Sequence, residues 1–182
     1  MTKIAVIVGS LREASLNKKF AQALEARMPE HVEIVHVSAD LPLYNEDVEA
    51  AGIPAEVQKA KDAIVAADGV ILITPEYNRS ISGVLKNTLD WISRPYGQNS
   101  FAGKPVALAG VSPSPLATTQ AQFQLRSIAA FLGMHVMGQP EMYVDGGRFF
   151  DENGDISEES ESSLQNYINS LVFHIESLNK KG

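Results

Sequence analysis

The sequence contains no cysteine. Disulfides, thiolate nucleophiles and cysteine-ligated metal clusters are therefore excluded. Long apolar runs are missing too. Residues 4–8 and 70–73 have strand length, and nothing approaches the roughly 18 residues needed to cross a membrane. Basic side chains are the minority, with 15 Lys and Arg against 22 Asp and Glu and a formal net charge of −7. That balance disfavours general affinity for nucleic acid, although the acidity is concentrated in residues 151–161 and does not describe a local pocket. The opening MTKIAVIVGS runs from a strand-like segment into a loop without the small-residue cleavage site of a secretory signal, so a cytoplasmic location is expected. His31, His36, His135 and His174 are scattered without metal-ligand spacing, and no metal site is expected. Repeats, interdomain linkers and low-complexity tracts are absent. A chain of 182 residues, 45% hydrophobic and 20% charged, suits one domain spanning 1–182 with one substantial core.

What is present alternates short β-branched runs with amphipathic segments. Residues 4–8, 32–37, 69–73 and 105–111 read as strands, and a fifth begins near His135. The first shows no polar alternation, as expected of a strand buried on both faces. Helical spacing links Phe20, Leu24 and Met28; then Val57, Ala60 and Ile64 behind Pro54; then Ile81, Leu85, Leu89 and Ile92. Leu125, Ile128, Ala129 and Leu132 form the stripe of a helix over 118–132. The last helix is the clearest, through Leu164, Ile168, Leu171, Val172, Ile175 and Leu178. Residues 42–52 read as a long polar connection and 146–154 as a turn-rich excursion. Five strands alternating with five helices predict a parallel sheet covered on both faces. In such sheets ligands bind beyond the carboxyl ends of the strands. That rule selects three loops, after Val8, after Ile73 and after Val111.

The first of these loops, GSLREASLN from Gly9 to Asn17, again begins with an absence. A dinucleotide fingerprint needs G-x-G-x-x-G and a Walker A loop needs two glycines with Gly-Lys-Ser/Thr; only Gly9 is present. A hydroxyl- and amide-rich loop opening a helix remains. Ser10, Ser15 and Asn17 can donate hydrogen bonds, Arg12 can pair bidentately with phosphate, and the N–H groups of the following helix favour an anion. This is the chemistry of a terminal monophosphate site. The alternative is an ordinary Ser15 N-cap with Arg12 as a solvated charge.

After the third strand comes TPEYNRSISG. A receiver-type phosphorylation site would place Asp at the strand end, where Thr74 stands. Pro75 and Tyr77 can form the wall of a crevice for a flat aromatic ligand. Asn78 and the backbone amides from Glu76 to Ser80 can bond its polar edge. An ordinary turn ending in a Ser80 or Ser82 helix cap is the alternative.

GSLREASLN followed by TPEYNRSISGVLKNTLDWISRP resembles the NADPH-dependent FMN reductase family. More closely it is similar to the family's flavodoxin-like quinone, chromate and azo-dye reductases. The resemblance covers nearly the whole chain in order and spacing. It implies a flavodoxin-like α/β fold with a five-stranded parallel sheet in the order 2-1-3-4-5, and helices on both faces. It also implies bound FMN, NADPH or NADH as donor, a small-molecule electron acceptor such as a quinone, and a homodimer or homotetramer. By motif, Ser10, Arg12, Ser15 and Asn17 would hold the FMN phosphate. Pro75, Glu76, Tyr77, Asn78 and Ser80 would line the isoalloxazine, with Ser112 on the flavin side. No catalytic acid or base is implied, and Tyr77 is the residue expected beside substrate. Two rivals share the fold: an electron carrier docking to protein partners, and a reductase supplying free reduced FMN.

Several further expectations are local. Asp90 and Arg94 should pair four residues apart along a helix. Trp91 lies about 100° from the centre of its helix's apolar stripe, which places it near the edge of the core. Glu158–Glu161 should form a solvated first turn favoured by the helix dipole. Phe123 and Phe131 fall opposite the core stripe of their helix, so they either form an oligomer contact or tuck under the 146–154 excursion.

Overall fold

A computed structural model describes residues 1–180. Its parallel sheet is built from β1 (Thr2–Val8), β2 (Val32–Val37), β3 (Gly69–Ile73) and β4 (Pro105–Ser112), continued by β5 (His135–Val136) in the order β2-β1-β3-β4-β5. A further segment, β6 (Met142–Asp145), also pairs with β4 in parallel. The helices are α1 (Leu16–Glu25), α2 (Glu46–Ala51), α3 (Ala55–Ala66), α4 (Gly83–Ile92), α5 (Thr119–Phe131), α6 (Gly146–Phe149) and α7 (Glu158–Asn179). This is the flavodoxin-like arrangement expected from the sequence.

The two faces of the sheet explain the unbroken apolar runs. Ala5, Ile7, Val70, Leu72, Val106 and Leu108 point to one side, where α3, α4 and α5 supply Ile64, Leu85, Leu89 and Leu125. Ile4, Val6, Ile71, Ile73, Ala107 and Ala109 point to the other, against Phe20 and Leu24 of α1 and Leu164, Ile168 and Leu171 of α7. A strand with helices on both sides has no solvent face, so alternation disappears.

The expected fifth strand is divided. His135 pairs with Pro105 and Val136 with Val106, but Met142 pairs with Ala109. The connection through Gly138-Gln139-Pro140 interrupts the ladder, since proline has no N–H to offer it. The polar connection contains the extra short helix α2, capped by Asn45, whose side chain accepts from Asp47 N–H at 2.8 Å. The excursion holds α6. The first helix ends at Glu25 and leaves Met28 beyond it, still packed on the core.

Three local expectations are corrected. Trp91 is wholly buried, not marginal. Its indole N–H donates to Pro42 O at 2.7 Å, and its ring meets Tyr44 edge-on at 4.9 Å. Asp90 pairs with Lys86 at 2.6 Å rather than with Arg94, because α4 stops at Ile92 and Arg94 no longer shares its face. Arg94 instead lies over the Tyr44 ring. Glu161 is not simply solvated: both its oxygens accept from Arg27, at 2.6 and 2.9 Å. This bond holds the Glu161 carboxyl below its ordinary range. Phe123 and Phe131 remain exposed, so the excursion does not cover them.

Candidate functional site

The order of the sheet decides where a ligand can sit. The chain leaves β1 toward β2 on one side and returns to β3 on the other, so a crevice opens between the ends of β1 and β3. There a cleft of about 180 Å³ is lined by Ser10, Arg12, Ser15, Asn17, Pro75, Glu76, Tyr77 and Ser112, with Leu16, Val111 and Pro113. Residues of the three loops selected from the sequence meet in it. Asn78 and Ser80 lie beyond the cleft on the hairpin that continues from Tyr77.

The loops are held close by backbone complementarity. Gly9 N–H donates to Ile73 O at 2.8 Å, and Ser82 Oγ donates to Gly9 O at 2.7 Å while accepting from Leu85 N–H at 3.1 Å. One serine thus caps α4 and ties the first loop to it. A Cβ on Gly9 would stand 2.8 Å from Leu85 Cβ, closer than carbon atoms pack, so only glycine lets α4 approach here.

The donors of the first loop fit a phosphate. Ser15 caps α1, accepting from Lys18 N–H at 3.3 Å, which leaves its own hydroxyl proton to give. Among the described residues, the N–H groups of Leu16 and Asn17, the Ser10 hydroxyl and the Arg12 guanidinium have no partner. Two helix-terminal N–H groups, two hydroxyls and a cation on one short cleft are what a phosphomonoester dianion requires. Asn17 also acts as a tie. Its Oδ1 accepts from Val111 N–H at 2.9 Å and its Nδ2 donates to Val111 O at 3.0 Å. It therefore joins α1 to the end of β4, with one Nδ2 hydrogen left over.

The second loop is ordered by bonds within it and by the start of α5. Thr74 Oγ1 donates to Pro75 O at 2.7 Å. Glu76 Oε2 accepts from Gln120 and Ala121 N–H, at 2.9 and 3.0 Å. It caps α5, whose own N-cap residue Thr118 makes no side-chain cap bond. Tyr77 and Ser80 exchange two backbone bonds of 3.0 Å, which sets the Tyr77 ring, 56% exposed, at the mouth of the cleft. Ser80 Oγ donates to Gln124 Oε1 at 2.7 Å. These ties were not visible in the sequence. Gln124 lies on the exposed face of α5 with no pattern to distinguish it, and Glu76 carries no sign of the helix it caps. No cluster of three metal-ligating side chains occurs among the described residues.

The family model described as NADPH-dependent FMN reductase matches residues 2–148. The chain is 45% identical over 170 residues to a 2-hydroxy-1,4-benzoquinone reductase of Burkholderia sp, covering 91% of this chain and 92% of the relative. It is 41% identical over 167 residues to a quinone reductase of Pseudomonas putida, covering 91% and 90%. Among solved structures it resembles FerB, a flavoenzyme NAD(P)H:(acceptor) oxidoreductase from Paracoccus denitrificans. The TM-score is 0.90 at 38% identity, over 97% of this chain and 98% of that one.

Proposed function

The chain belongs to the NADPH-dependent FMN reductase family, and we propose that it exchanges its two substrates in ping-pong fashion at one mouth, beside Tyr77. It is an FMN-dependent NAD(P)H oxidoreductase acting on quinone-like acceptors. When bound, FMN would supply the redox chemistry that carries an electron pair from the nicotinamide to the acceptor. The protein binds, orients and excludes water.

Ser10, Arg12, Ser15 and the first N–H groups of α1 hold the FMN phosphate, with Asn17 offering its remaining hydrogen. Pro75 and Tyr77 wall the isoalloxazine. The backbone N–H groups of Glu76 and Asn78 would bond its polar edge, and Ser112 approaches from the third loop; Ser80, expected beside the flavin, instead closes the hairpin, because its N–H and C=O are both taken by Tyr77. The observation that carries this reading is the set of unpartnered donors in one cleft, opposite an aromatic wall. The absence of glycines beyond Gly9 in the first loop favours a single phosphate over a pyrophosphate.

The protein forms a homodimer or homotetramer through α4 and α5. Phe131 is 89% and Tyr96 95% exposed beside a groove of about 710 Å³ between these helices. Such exposure favours a symmetric contact. Among the described residues no helix is long and apolar enough to cross a membrane, and the reading places the protein in the cytoplasm as a single domain without nucleic-acid partners.

The test is heat release and chromatography of the cofactor, followed by anaerobic addition of NADPH or NADH and then a quinone. FMN, bleaching by a nucleotide, and recovery on adding quinone are expected. FAD in the extract, or failure of both nucleotides to bleach the flavin, would overturn the reading; the latter outcome would favour an electron carrier.

A further inference from the structure

The hairpin at the mouth of the cleft contains a residue its backbone disfavours. Tyr77 and Ser80 close a two-residue turn whose central residues, Asn78 and Arg79, have φ of 52° and 67°. Turns with both central residues left-handed take Asn and then Gly most readily. Asn78 fits that preference. Arg79 does not, because its Cβ crowds the backbone in this region.

Gln124 of α5 supports the turn where it is least favourable. Its Nε2 donates to Arg79 O at 2.7 Å, and its Oε1 accepts from Ser80 Oγ at 2.7 Å. A residue held against its backbone preference by dedicated contacts points to a use for its side chain.

That side chain is an available cation. The Arg79 guanidinium is 67% exposed and comes no nearer a carboxylate than 3.9 Å, to Glu76 Oε1. The other oxygen of Glu76 is taken by the two N–H groups of α5. Arg79 lies two residues from Tyr77, which lines the cleft, and on a different loop from Arg12. In a chain of net charge −7, a cation at the mouth raises the local concentration of an anionic substrate. Of the two substrates, the nicotinamide dinucleotide carries a pyrophosphate, and in NADPH also a 2′-phosphate; a simple quinone carries no such group.

We propose that Arg79, presented by the Asn78–Arg79 turn and the Gln124 clasp, recognises a phosphate of the incoming nicotinamide dinucleotide. The assignment rests on the reductase reading above. Arg79→Gly suits the turn better than arginine does, so it removes the side chain without endangering the fold. The KM for the nucleotide should rise about tenfold, equivalent to one lost contact of moderate strength, with little change in kcat. Calorimetric binding of NADP⁺ or NAD⁺ to the FMN-loaded protein should weaken in parallel. Arg79→Lys should recover most of the loss, while FMN affinity and the quinone KM stay in place.

Loss with both nucleotides assigns the contact to the pyrophosphate, and loss confined to NADPH assigns it to the 2′-phosphate; either supports the proposal. An unchanged nucleotide KM, or a weakened hold on FMN in Arg79→Gly, would overturn it while leaving the reductase reading intact. A wild-type protein that neither nucleotide reduces removes both together.

Discussion

Replacing Asn17 by alanine separates holding the site together from holding the ligand. Asn17 and Val111 are 3% and 2% exposed. The two bonds between them, at 2.9 and 3.0 Å, satisfy the N–H and C=O of Val111 near the end of β4. The alanine leaves both groups without a partner. Each buried unsatisfied group costs about 1–3 kcal/mol; with water reaching part of the gap from the cleft, a total near 3 kcal/mol follows. For a chain of this length each kcal/mol lowers Tm by about 2–4 °C, so the drop should be about 6–12 °C. Asn17→Asp should be at least as damaging, since it keeps the acceptor but sets a carboxylate oxygen against Val111 O. Circular dichroism melts, with excess FMN and after its removal, provide the assay. The drop should persist in the FMN-free protein. An FMN-free Asn17→Ala protein with the wild-type Tm, and only a weakened hold on FMN, would refute the tie and leave Asn17 as a simple phosphate donor.

Arg12→Ala should raise the FMN dissociation constant roughly ten- to a hundredfold, as expected for one charge-assisted bond. Flavin fluorescence quenching reads this, and an unchanged value would make Arg12 a mere surface charge. Glu76→Ala removes the cap of α5 and should cost about 1–2 kcal/mol of stability, measured by urea unfolding. Glu76→Gln keeps an acceptor for both N–H groups and should lose less than half as much; equal loss in the two variants would contradict the capping geometry. Light scattering at low micromolar concentration should give a dimeric or tetrameric mass, and Phe131→Glu should shift it toward the monomer. A wild-type monomer with full flavin and full activity would remove both the oligomer and any role for it in the site.

The parts of this molecule legible in its sequence are those where a residue acts through its own type. The apolar runs of β1, β3 and β4 could only be buried on both faces, and the stripe of α7 could only face a sheet. The failures share a different cause. The helical position of Trp91 points to the core margin, yet its burial is decided by Tyr44 and the carbonyl of Pro42, which arrive from the connection before α3. The pairing of Asp90 depends on where α4 ends, and Arg94 lies only two residues past Ile92. The break in the fifth strand at 138–140 depends on which β4 residues remain within reach.

The same division runs through the site. The roles proposed for Arg12, Ser10 and Ser15 at a phosphate, and for Tyr77 as an aromatic wall, follow from the chemistry of those side chains alone. Asn17, Glu76 and Gln124 are polar residues whose local sequence permits several uses. Their roles are fixed by Val111, by the start of α5 and by the 77–80 hairpin, respectively. A side chain that meets a ligand can be recognised from the ligand's chemistry. One that holds a loop can be recognised only from the group it holds, which lies 94 residues away for Asn17 and 44 for Glu76 and Gln120. The positions hardest to read are therefore those that hold the cleft in shape, and for them mutational loss should appear first in stability and only secondarily in turnover.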